Sequence, residues 1–147
     1  GKLTFAPSIP GHVEHRQLTN NSLNIMAGGF LACTPGVNIK AKFGGLKALF
    51  SGEGAFLLEA SGSGDLFFNS FGGVVEKQIN GEFIVDTGHV VAFDPSLDYK
   101  ITGMGSFKST MLSGEGMVMR FSGNGKLYLQ TRNVSSIASW LTPRLLG

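Results

Sequence analysis

Ser61-Gly-Ser-Gly-Asp-Leu-Phe-Phe68 and Ser122-Gly-Asn-Gly-Lys-Leu-Tyr-Leu129 are variants of one pattern, 61 residues apart. Upstream, Lys47-Ala-Leu-Phe-Ser51-Gly-Glu53-Gly54 returns as Lys108-Ser-Thr-Met-Leu-Ser113-Gly-Glu115-Gly116 with one residue inserted. Thr34-Pro35 with Lys40 returns as Asp94-Pro95 with Lys100, at an offset of 60. A chain with 22 Gly in 147 residues can produce one such match by chance. Three in the same order at nearly constant spacing indicate a repeated structural unit. The expected organisation is a single β domain over 1–147, with repeat one at about 23–71 and repeat two at about 82–132.

Within each repeat the pattern is of short strands. In the second, 83–85 and 89–93 are β-branched or aromatic runs split by Thr87-Gly88, and Asp94-Pro95 ends the run because proline cannot donate to a ladder. A strand at 99–102 follows. Runs 117–121 and 126–131 flank Ser-Gly-Asn-Gly, which predicts a hairpin because Gly and Asn accept the positive φ of tight turns. The first repeat predicts strands at 25–26, 30–33, 37–42, 55–60 and 65–70, with further strands at 1–6 and 12–17 around Pro7-Ser-Ile-Pro-Gly11. At the C-terminus Asn133 is placed as an N-cap, and Val134, Ile137, Ala138 and Leu141 recur at helical spacing. A short helix over 134–141 is predicted, stopped by Pro143, to close one end of the domain or dock on a neighbouring subunit. The fold class is all-β: a β-sandwich or double-stranded β-helix from two repeats of about 60 residues, plus that helix.

Charged residues make up 15% of the chain and apolar ones 42%. Much of the surface must therefore be neutral, and such a surface packs against another subunit more readily than against water. A homo-oligomer is expected. The net charge of +2, with twelve scattered basic residues, argues against a nucleic-acid partner, which would call for a concentrated basic face. Cys33 is the only cysteine, which excludes an intrachain disulfide and favours a reducing compartment, the cytoplasm. No apolar run approaches the roughly 18 residues of a membrane helix, and residues 1–10 lack the order of a signal peptide.

Candidate chemistry is sparse. Glu53 and Glu115 suggest paired carboxylates, but a Glu between two glycines in both repeats is better explained as a loop lock. It would accept from backbone N–H groups or pair with Lys47 or Lys108, with Ser51 and Ser113 beside it, and could bridge subunits where the loops meet. His12 and His15 would lie on opposite faces of a strand, without the third ligand that zinc needs. His89, beside Asp86 in an apolar strand, is expected to be a half-buried polar residue. The five Gly-x-Gly triplets never complete a dinucleotide or phosphate loop. No Gly-x-Ser-x-Gly elbow is present, and Cys33 reads as a small packing residue. No catalytic residue, metal or cofactor is expected. Phe supplies 12 of the 15 aromatics, which favours core or interface over a base-stacking platform; Phe43, Phe50, Phe71 and Phe107 near the Gly loops are candidates for a contact between subunits.

Phe43-Gly-Gly-Leu-Lys47 through Gly54, Val85-Asp86-Thr87-Gly88-His89-Val90-Val91-Ala92-Phe93, Lys108 through Gly116, and Leu129-Gln130-Thr131-Arg132 together resemble the altered-inheritance-of-mitochondria family of β-proteins. The resemblance covers nearly the whole chain. It implies a fold like that of the trp RNA-binding attenuation protein and a homotrimer with pseudo-sixfold character. It also implies a mitochondrial matrix or inner-membrane-associated setting should the source be eukaryotic. It brings no catalytic residues, and likeness to an RNA-binding fold transfers no function. Family members carry a further β-rich segment ahead of the matched region, so the chain is expected to lack an N-terminal segment. The functional expectation is a non-enzymatic oligomeric scaffold or interaction module. The alternative is an RNA- or polyanion-binding module with Lys40, Lys47, Lys100 and Lys108 on one face.

Overall fold

The computed structural model describes residues 1–43, 56–103 and 117–145. Among them the chain is all-β, with one antiparallel sheet of eight strands and one C-terminal helix. The strands are β1 (Val13–Met26), β2 (Phe30–Cys33), β3 (Val37–Phe43) and β4 (Phe56–Asn69), then β5 (Val74–Asp86), β6 (Val90–Phe93), β7 (Leu97–Gly103) and β8 (Met117–Gln130). Three-residue helical turns, Ala27–Gly29 and Thr87–His89, join β1 to β2 and β5 to β6.

Long strands organise the sheet. One edge of β4 pairs with β1 along its length, while the other takes β3 on its first arm and β2 on its second. In the same manner β8 pairs with β5 on one edge and with β7 and β6 on the other. The hydrogen-bonded order is β2-β4-β1-β6-β8-β5, with β3 attached to β4 and β7 to β8. Among the described residues a single short ladder, Asn24 opposite Phe93 and Ile25 opposite Ala92, joins the first four strands to the last four.

Apolar side chains on alternate strand positions form two clusters. One gathers Leu18, Leu23, Ile25, Ala60, Leu66 and Phe68 with Val91 and Tyr128 from beyond the seam. The other gathers Ile79, Phe93, Leu97, Met119, Phe121 and Leu127 with Leu57. In the second cluster Phe93 packs edge-on against both Tyr99 and Phe121, at centroid distances of 5.3 and 5.0 Å.

Several sequence expectations need correction. The Ser-Gly-x-Gly stretches are not hairpins: β4 and β8 run straight through them. Positive φ is present, at Gly62 (125°), Gly64 (151°) and Gly123 (122°), but it kinks a long strand instead of reversing it. The glycines also admit a neighbouring turn, since a Cβ on Gly62 would lie 2.3 Å from the Gly36 carbonyl oxygen and one on Gly64 2.4 Å from Thr34 Oγ1. The separate strands expected at 12–17 and 25–26 are two arms of β1, broken only by a bulge at Thr19 and Asn20, where Asn20 has φ 52°. Residues 1–6 form no strand; further along, Gly11 makes an isolated bridge to Gly72.

The helix, α1 (Val134–Leu145), continues past the predicted stop at Pro143. In the last turn proline removes one hydrogen bond, and its fixed φ is already helical. Asn133 caps the helix as expected, its Oδ1 accepting from the Ser135 N–H at 2.9 Å. Phe71 is buried, at 8% exposure, which removes it from the candidate surface aromatics.

Candidate functional site

Lys47, Ser51, Glu53, Lys108, Ser113 and Glu115 lie outside the described residues, as do Phe50 and Phe107. By sequence they fall in the two connections β3–β4 and β7–β8. Lys40 and Lys100 are exposed on β3 and β7.

Asp86 and His89 are both half-buried, at the two ends of the turn between β5 and β6. Asp86 Oδ1 accepts from the Gly88 N–H at 2.7 Å, which is what holds the turn. The His89 ring nitrogen Nδ1 lies 2.8 Å from the Gln130 carbonyl oxygen, and Gln130 Nε2 donates to the Gly88 carbonyl at 2.7 Å. Gln130 Oε1 accepts from the Phe71 N–H at 2.8 Å, and Asn133 Nδ2 faces Asp86 Oδ1 at 3.5 Å. These bonds tie the turn, the end of β8, the Phe71 segment and the start of α1 together. With each polar group directed at backbone or amide, the role they support is positional.

A second polar cluster crosses the β1–β6 seam, and local sequence reading misses it. Arg16 on β1 donates to the Tyr128 hydroxyl and, at 3.3 Å, to Asp94 Oδ1 at the end of β6. Asp94 Oδ2 accepts from the Lys126 N–H at 2.8 Å, and the Lys126 ammonium pairs with Glu76 at 2.8 Å. Tyr128 is buried edge-on against Phe68, centroids 5.4 Å apart, and burial pushes its phenol above the usual value. The hydrogen bond from Lys126 holds the Glu76 carboxyl below its ordinary 4.5, and Glu76 in turn raises Lys126 above 10.5. Arg16 and Asp94 are 78 residues apart, so no spacing rule brings them together. A comparison of the two halves could have pointed there: Arg16, Tyr128 and Asp94 stand where the other half has Lys77, Phe67 and Thr34.

His12 lies 3.4 Å from Glu14, and His15 lies 2.8 Å from Asp65 while stacking on Phe67 at 4.9 Å. Among the described residues no three His, Cys, Asp or Glu side chains gather as a metal site requires. Cys33 is half-buried against the first cluster, with its thiol 3.7 Å from the Val37 carbonyl. No helix among the described residues is long and apolar enough to cross a membrane.

The exposed apolar residues have a pattern. Every residue of α1 is exposed, including Val134, Ile137, Trp140, Leu141 and Leu145. Ile84, near the end of β5, is 50% exposed.

This architecture has relatives. A Streptococcus pyogenes protein solved by crystallography superposes with a TM-score of 0.83 at 31% identity, covering 95% of this chain and 62% of that one. An uncharacterised protein of Streptococcus pyogenes serotype M6 is 34% identical over 144 residues, which are 96% of this chain and 58% of the relative. The chain thus spans about three fifths of the length of these relatives. The family profile described as mitochondrial biogenesis AIM24 matches residues 1–132, and the chain belongs to that family.

Proposed function

We propose that the chain is a non-enzymatic scaffold or interaction module, built from a duplicated four-strand unit and working as a homo-oligomer, with a trimer as the expected size. The observation that carries this reading is α1. A 12-residue helix is marginal in water by itself, and its stability ordinarily comes from packing an apolar face. Here Val134, Ile137, Trp140 and Leu141 recur along the helix, yet none is buried within the chain. Such a stripe is suited to contact with another protein surface. The polar clusters support the same reading, because their bonds connect backbone segments to one another. The cytoplasm, where Cys33 stays a thiol, is the proposed compartment.

Light scattering at two salt concentrations, with the ratio of absorbance at 260 and 280 nm recorded on the same peak, tests this. The expected result is a salt-independent mass of three times 15.6 kDa, with the absorbance ratio of pure protein. A monomer would remove the oligomeric reading. Nucleic acid that leaves as salt rises would put a polyanion-binding role in its place.

A further inference from the structure

Two Asn-Gly dipeptides occur in the chain, Asn80-Gly81 and Asn124-Gly125. Such a pair is chemically labile, because the backbone nitrogen after the asparagine can reach its side-chain carbonyl carbon and glycine puts no side chain in the way. By sequence the two are equivalent. The fold places them side by side, with Asn80 opposite Asn124 in the β5–β8 ladder at the bend of β8.

Their surroundings differ. Asn124 Oδ1 accepts from Gln78 Nε2 at 2.9 Å, and the Asn124 carbonyl accepts from Ser96 Oγ at 2.8 Å. Gly125 is buried, and a Cβ there would lie 2.6 Å from Ser96 Oγ and 3.1 Å from Leu97 Cγ. The peptide that would have to turn is therefore held at its carbonyl and enclosed on its glycine side. Asn80 has none of these restraints. It follows buried Ile79 and is exposed, and its amide makes no hydrogen bond among the described residues. Gly81 is exposed at φ 107°, with nothing within 4 Å of where a Cβ would stand. An exposed corner without packed side chains opens locally at low cost.

We propose that Asn80 is a site of spontaneous covalent modification, converting to isoaspartate while Asn124 is spared. The only co-reactant is water. The Gly81 backbone nitrogen loses its proton to hydroxide and bonds to Asn80 Cγ. The bond from Cγ to the side-chain nitrogen then breaks, and ammonia leaves with a proton taken from water. Water opens the cyclic imide that remains. Breaking the bond between the Gly81 nitrogen and the Asn80 backbone carbonyl carbon leaves the chain running through the side chain, with a free α-carboxylate, which is isoaspartate. Breaking the bond to Cγ instead gives aspartate. The corner has room for the longer product. Isoaspartate adds one atom to the backbone of β5, and at the matched corner of β1 two residues, Thr19 and Asn20, span the interval between Leu18 and Asn21 that Asn80 spans alone between Ile79 and Gly81. The ladders on either side persist across that longer path in β1. Once modified, the chain carries an exposed group of the kind that isoaspartyl carboxyl methyltransferases recognise.

The purified full chain, aged at mildly alkaline pH both folded and in urea, then digested and read by mass spectrometry for amide-to-acid conversion, tests this. In the folded chain Asn80 should convert at least about tenfold faster than Asn124, the scale of rate lost when reacting groups are held out of line. In urea the two sites should convert at similar rates. The folded, aged chain should take up labelled methyl groups from S-adenosylmethionine in the presence of a purified isoaspartyl methyltransferase. Asn80→Gln should remove most of that labelling, and the aged chain should keep its circular dichroism. Equal conversion of the two sites in the folded chain, or an Asn80 slowed by folding as much as Asn124, would overturn the proposal. Conversion of Asn80 without methyl uptake would overturn isoaspartate as the product, and loss of circular dichroism in step with conversion would overturn its accommodation at the corner.

Discussion

The turns at Thr34–Val37 and Asp94–Leu97 meet the same geometric requirement with different side chains. In each, the fourth N–H returns to the first carbonyl, at 3.0 Å in one and 3.1 Å in the other. In each, the first side chain accepts a backbone N–H from the kinked strand it crosses: Thr34 Oγ1 from Asp65, Asp94 Oδ2 from Lys126, both at 2.8 Å. The difference lies in what remains. A threonine hydroxyl is then locally committed, whereas the aspartate has a second oxygen, and that oxygen reaches Arg16 across the seam. A single change of side chain at matched positions thus separates a turn that serves only its own strands from one that also joins two halves of a sheet.

The strongest way to break the likeness between the halves is to crowd a kink. Gly62 and Gly81 both have positive φ, 125° and 107°, but only Gly62 has a carbonyl oxygen where a Cβ would go; nothing lies within 4 Å at Gly81. Gly62→Ala should destabilise by more than about 3 kcal/mol, through overlap added to backbone strain. Gly81→Ala should cost about 1–2 kcal/mol, from strain alone. Urea unfolding of the two variants checks the order, and equal losses would show that the approach of the β2–β3 turn does not matter.

The turns themselves give the next effect. Asp94→Ala removes acceptors from both Lys126 N–H and Arg16, for a loss of about 2 kcal/mol, while Thr34→Ala loses one acceptor and about 1 kcal/mol. Asp94→Thr sharpens the comparison by restoring only the local bond. Its remaining deficit should vanish in an Arg16→Met background if the seam contact is the source.

The smallest effect concerns Glu76 and Lys126, an exposed pair whose counterpart in the first half is His15 with Asp65. Glu76 has a lowered pKa in the folded chain, so its contribution is present above about pH 4.5 and fades as pH falls through the lowered value. Lys126 has a raised pKa, so its share is retained up to the ordinary 10.5 and fades as pH rises beyond the raised value. Glu76→Gln should flatten the acid limb of a stability–pH curve slightly and leave neutral stability within the small range of a surface pair. A large loss at neutral pH would mean that Glu76 also supports Tyr128.

The strands around Asp94-Pro95 and the capped start of α1 were legible from residue type and local order. The Ser-Gly-x-Gly segments were misread because positive φ is common to hairpin turns and mid-strand kinks. What separates them is whether the flanking arms pair with each other or with a third strand, and that is decided at long range. The Arg16–Tyr128–Asp94 cluster was illegible for the same reason, though its three residues each replace a different type at the matched position. The end of α1 was misplaced because Pro143 lies in the last turn, where a proline is tolerated.

The bulge in β1 has a consequence for lineage. Strand β1 has 14 residues against 13 in β5, and the additional length falls at Thr19 and Asn20. The arm before the bulge keeps its inward face, as buried Leu18 and Ile79 show at matched positions, and buried Leu23 opposite Ala60 shows the same for the arm after it. Elsewhere in a strand, one added residue would turn every later side chain to the wrong face. Here a local kink absorbs it. An alignment of relatives should therefore tolerate gaps at 19–20 and resist them at Leu23–Ile25, so that changes in length over descent collect at the corners of the sheet and leave its ladders intact.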